Sequence, residues 1–192
     1  LLLVAYRSLG STLFAYGEPA QALECLREGI ALYDPEKHRS LAYVYGQDIG
    51  VVCKGWTAWS LALLGYPDQA ELMALEAIQM ARALSHPLTL SYALAVGSIL
   101  YFLLQKTERA RELAQENFKF SGEQGFIFFY THAAIILGVL AEPDQIEQGV
   151  TQTRGGMAGL EGAGAALLLP IYQTRLSKIF ASLGKIEDGL AV

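Results

Sequence analysis

Apolar residues recur along the chain at helical spacing in long blocks, and more polar blocks alternate with them. Five short strings stand at the junctions: Gly17-Glu18-Pro19-Ala20-Gln21-Ala22, Gly65-Tyr66-Pro67-Asp68-Gln69-Ala70, Gln105-Lys106-Thr107-Glu108-Arg109-Ala110, Ala141-Glu142-Pro143-Asp144-Gln145-Ile146 and Gly184-Lys185-Ile186-Glu187-Asp188-Gly189. They begin 48, 40, 36 and 43 residues apart. Each string follows an apolar segment of helical length and precedes a more charged one. Their chemistry is that of a helix-to-helix turn. Glycine suits the left-handed residue just past a helix end. Proline suits the first turn of the next helix, where a missing N–H costs nothing. An acid there meets the positive end of the helix dipole.

A second regularity supports the repeat. Twelve residues before the end of each string stand Gly10, Ala58, Ser98, Ala134 and Ser177, all small. Three residues later stand Leu13, Leu61, Tyr101, Leu137 and Phe180, all large and apolar. Small residues let two helices approach closely, and the large ones fill the space beside them. The pattern predicts first helices near 2–16, 49–64, 87–104, 126–140 and 165–183. Second helices follow near 18–33, 67–84, 107–123, 143–159 and from 186 onward. Asp48 and either Ser85 or His86 are the expected N-caps, with Pro87 just inside its helix. No segment alternates with period two between hairpin turns, so no strand is expected. Two stretches depart from the pattern. Residues 34–47 form an extra connection, and Gly155, Gly156, Gly159, Gly162 and Gly164 predict a frayed helix end.

The expectation is therefore an all-α single domain over 1–192. Its units run roughly 1–34, 48–84, 86–123, 125–160 and 164–192, the last incomplete, and both ends read as cuts through a longer protein. Stacked repeats bury a continuous apolar seam, which suits a chain with 53% hydrophobic and only 17% charged residues. The longest apolar runs, Leu88 to Leu104 and Phe126 to Ala141, are interrupted by polar residues and lack flanking basic clusters, so no membrane span is expected. The net charge of −5 with no basic stripe argues against nucleic acid. Cys25 and Cys53 lie singly in apolar helical patterns and read as reduced, buried thiols.

The repeat units resemble the tetratricopeptide pattern. Tyr6, Leu9, Gly10, Leu13, Ala22, Leu26 and Gly29 carry it in the first unit, and Ala58, Ala70 and Ala77 in the second. Lys54, Thr57, Asn117 and Thr153 depart from it. A closer likeness lies in Ala31-Leu32-Tyr33-Asp34-Pro35, His38-Arg39-Ser40, Tyr45-Gly46-Gln47-Asp48 and Gly65-Tyr66-Pro67-Asp68-Gln69-Ala70. These resemble the helical-repeat region of large bacterial predicted ATPases that often carry an adenylate/guanylate cyclase-like domain. The resemblance implies a right-handed α-α superhelix of about five antiparallel helix pairs. It also implies a cytoplasmic scaffolding or regulatory region rather than a catalytic one.

No Walker A pattern is present, because Gly184-Lys185 lacks the upstream glycine spacing. His38, His86 and His132 share no ligand spacing, so no metal and no cofactor are expected. No nucleophile, base and acid come together in the sequence, so no enzyme is expected. In the resembled fold the first helices line a concave face. Trp56, Trp59, Tyr92, Tyr101, Phe128, Tyr130 and His132 fall on those helices, with Tyr43, Tyr45, Gln47 and Asp48 just before one. They are the candidate contacts for a protein or peptide segment, against packing between repeats as the plainer alternative. Tyr45-Gly46-Gln47-Asp48 reads first as a helix stop followed by a helix cap, since Gly and Asp are the residues such a boundary requires, and second as a polar contact point at the groove entrance. The expected function is protein–protein interaction in a signalling or regulatory ATPase; the alternative is a small-ligand sensor controlling attached domains. Leu1 to Val4 and Gly189 to Val192 are the expected places for self-association.

Overall fold

The turn chemistry recurs in the backbone. In a computed structural model describing residues 1–192, Gly17, Gly65, Gln105 and Gly184 all adopt positive φ. Each donates its N–H three residues back, and the next residue donates five back: Gly17 to Phe14 and Glu18 to Leu13, Gly65 to Ala62 and Tyr66 to Leu61, Gln105 to Phe102 and Lys106 to Tyr101, Gly184 to Ala181 and Lys185 to Phe180. This is the paired closure that satisfies the last carbonyls of a helix. Gly125 and Gly164 repeat it after second helices. At the Ala141 string the first of these bonds is kept, Ala141 to Gly138, and the chain passes into a 3-10 turn at Pro143–Gln145.

The chain is all-helical, with no strand. Its helices are α1 (Leu2–Ala15), α2 (Pro19–Leu32), α3 (Pro35–His38), α4 (Ala42–Tyr45), α5 (Ile49–Leu63), α6 (Pro67–Ala83), α7 (Pro87–Leu103), α8 (Thr107–Gln124), α9 (Ile127–Val139), α10 (Ile146–Gly162), α11 (Leu169–Ser182) and α12 (Ile186–Leu190). Neighbouring helices pack as pairs: α1 with α2, α5 with α6, α9 with α10, α11 with α12. Two compact units result, Leu1–Leu113 and Ala114–Val192, with the boundary inside α8. No single helix is long and apolar enough to cross a membrane.

The column of small residues meets partner helices. Gly10, Ala58, Ser98 and Ala134 are buried and Ser177 is half-buried. A methyl group added at Gly10 would stand 2.5 Å from Leu26 Cγ. Ser177 Oγ donates to the Gly189 carbonyl at 2.9 Å.

Within unit 1, first helices α1 and α5 touch, as do α5 and α7. α7 contains no charged residue, and its residues 91–101 are all buried. α5 carries one charge, Lys54, paired with Glu76 of α6 at 2.5 Å. The low charge content of the chain thus reflects helices covered on nearly every side.

The extra connection over 34–47 contains α3, a 3-10 turn at Arg39–Leu41 and α4. One expectation needs correction: the glycine-rich stretch does not fray, since α10 runs through to Gly162. The reason lies in its packing against α9. A Cβ at Gly149 would collide with the Gly138 carbonyl oxygen, and one at Gly156 would stand 2.5 Å from Ile135 Cγ1. Close approach at these two positions offsets the helix-weakening effect of glycine, about 1 kcal/mol each.

Candidate functional site

The site is built from the segment between α2 and α5. Asp34 begins it, its carboxylate accepting the Glu36 N–H at 3.0 Å and pairing with Lys37 at 2.7 Å. The Asp34 N–H in turn donates to His38 Nδ1 at 2.9 Å. The chain turns through Arg39–Leu41 into α4, where Ala42 is buried and anchors the helix. Gly46, at φ +78°, ends α4. The three residues between anchor and stop face outward: Tyr43, Val44 and Tyr45 are 78%, 71% and 43% exposed.

This ridge is tied to the core beneath it. The Tyr43 ring stands edge-on to His86, centroids 5.0 Å apart. His86 N-caps α7, its Nδ1 accepting the Thr89 N–H at 3.3 Å and lying 2.9 Å from Thr89 Oγ1. Thr89 Oγ1 accepts the Asp48 N–H at 2.9 Å. Asp48, fully buried, caps α5 through Val51 N–H at 3.0 Å and accepts the Tyr33 hydroxyl at 2.6 Å. Burial, then the hydrogen bond to Asp48, pushes the Tyr33 phenol well above its usual range.

The expected contact residues divide into two groups. Tyr43, Tyr45, Phe128 and Tyr130 are exposed, and Gln47 and Trp56 are half-buried. Asp48, Trp59, Tyr92, Tyr101 and His132 are buried. Trp59 Nε1 donates to the Val96 carbonyl at 3.1 Å, and the Tyr92 hydroxyl donates to the Val52 carbonyl at 3.3 Å. Tyr92 fits because Gly55 has no side chain: a Cβ there would stand 2.7 Å from the hydroxyl. The Tyr101 ring takes the Arg109 guanidinium 5.9 Å from its centroid. These rings join helices inside unit 1 and offer no free face.

No family model matches this sequence, and no curated protein matches it.

Trp56 lies with Phe14 and Trp59 in an aromatic cluster, with centroids 5.1 Å from each partner. The Phe14 ring also meets Trp59, at 6.0 Å, so each ring of the three contacts the other two. In unit 2, Tyr130 stacks on Phe118 at 4.3 Å, and Phe128 stands edge-on to His132 at 4.7 Å. No three His, Cys, Asp or Glu side chains gather in a metal-holding group. Cys53 is buried, and burial pushes its thiol up to about 12, which removes it as a nucleophile at neutral pH.

Sequence reasoning missed Val44 and Ile127, and the second role of the expected cap His86. Val44 and Ile127 are 71% and 76% exposed. The signal for Val44 was available: a four-residue helix before a glycine stop is too short to bury every face. His86 caps α7 as expected, whereas its second contact, to Tyr43, has no sequence signature.

Proposed function

We propose that this chain is a non-catalytic interaction module that docks a segment of another protein, and that it belongs to a tetratricopeptide-like superhelix serving a bacterial, cytoplasmic signalling or regulatory ATPase. The observation that carries the docking role is the Tyr43-Val44-Tyr45 ridge. Three large apolar residues stand consecutively in solvent, on a short helix held by a buried anchor, a glycine stop and a histidine ring. Exposed aromatic residues on a rigid support are favoured interface anchors. The family assignment rests on the repeat strings and small-residue column.

The test is photocrosslinking in cells producing the full-length protein, with benzoylphenylalanine at position 43 or, as a control, at Tyr16, which is 81% exposed. A discrete adduct from position 43 and none from position 16 supports docking at the ridge. Identical adducts from both positions, or none from either, count against it. Replacing Tyr43, Val44 and Tyr45 together by serine should abolish the adduct formed by a probe at position 47.

A further inference from the structure

His132 is the only basic side chain on α9, and it is 5% exposed. Its Nδ1 lies 2.8 Å from the hydroxyl of Tyr172, a fully buried residue of α11. Phe128, 48% exposed, stands edge-on to the imidazole on its own helix. This hydrogen bond links the side chains of two helices that pack together in unit 2, and Leu169 and Leu176 of α11 are buried as well.

We propose that unit 2 carries an acid-operated latch, in which a proton taken up from water by His132 releases α11 from α9. A neutral imidazole and a phenol satisfy one another, one donating and the other accepting. An imidazolium has two N–H donors and a positive charge, and a buried charge needs a compensating partner. None is supplied. The titratable group facing the ring is Tyr172, from α11, and burial pushes that phenol far up, so it provides no anion. No carboxylate or cation of α8, α10 or α11 acts on the imidazole; burial alone lowers it, from 6.5 to about 4.

The direction follows from that lowering. Above pH 6.5 the imidazole is neutral whether α11 is docked or released, and pH has no effect through it. Between 6.5 and 4 the released form takes up the proton and the docked form does not, so opening is favoured more with each step down. Below about 4 both forms are charged and the effect stops growing.

The test is amide hydrogen exchange on the whole chain from pH 7 to 3.5, corrected for intrinsic exchange, with the His132 imidazole followed by NMR. Protection factors of α9 and α11 amides should fall on the order of 100-fold between pH 6.5 and 4. In a His132→Gln variant the fall should be less than about threefold over the same range. An equal fall in the variant overturns the latch. So does wild-type protection that stays flat across the range, which decides the matter even where the variant does not fold.

Discussion

The Tyr33 hydroxyl donates to the Asp48 carboxylate at 2.6 Å, joining the residue that ends α2 to the residue that begins α5. Asp48 also caps α5 and, through its N–H, meets Thr89 of α7. One buried residue therefore joins three helices, its carboxylate tying α2 to α5 and its backbone N–H reaching α7.

Asp48→Ala should cost about 1–3 kcal/mol, from a lost N-cap and a half-buried phenol left without its acceptor. Asp48→Asn keeps a capping oxygen and should cost about half as much. Urea melts of both, combined with Tyr33→Phe in a double-mutant cycle, measure the coupling. A cost below about 1 kcal/mol for the alanine variant would show the network to be incidental.

Gln105 occupies a turn position that glycine fills at Gly17, Gly65 and Gly184, and it does so at φ +59°. A side chain in that region is strained by about 1 kcal/mol. Gln105→Gly should therefore stabilise the chain by about 0.5–1 kcal/mol, while Gln105→Ala should gain nothing. Thermal melts of the two variants separate backbone strain from loss of the side chain.

Two glycines of α10 should respond in opposite directions to alanine. Gly155 faces open space, so Gly155→Ala should stabilise by up to about 1 kcal/mol through helix propensity alone. Gly149 faces the Gly138 carbonyl, so Gly149→Ala should destabilise by about 1–3 kcal/mol. If both variants moved stability the same way, the close crossing of α9 and α10 would be wrong.

Much of this architecture was legible in the sequence because helix ends have obligatory chemistry. Glycine in the left-handed position and proline in the first turn mark boundaries whatever surrounds them, and the small-residue column follows from helix contact. Burial around the full circumference of a helix was less legible. Trp59, Tyr92 and Tyr101 lie on first helices, but α5 and α7 are covered on nearly every side, so these rings are core. A single sequence gives a helix's period and not the number of its neighbours. The continuity of α10 through its glycines was hidden for a related reason. Propensity is local, whereas the crossing that offsets it depends on Gly138, a residue of another helix.

The two thiols should react differently. Cys53 is fully buried with its thiol pushed up to about 12, chiefly by burial, whereas Cys25 is half-buried. Native protein at pH 8 should titrate one thiol with an aromatic disulfide reagent, and denatured protein two. Rapid reaction of both in the native state would contradict the packing of α2 against α5.

The segment bearing Tyr43 lies between two aspartates, Asp34 and Asp48, each closing a helix start of its own. Substitutions at the outward positions 43–45 therefore leave both closures in place and reach the packed helices only through the Tyr43 ring on His86. Such a layout separates what must be kept from what is free to vary: lineages could exchange this short stretch and acquire new specificities without rebuilding the scaffold that displays it.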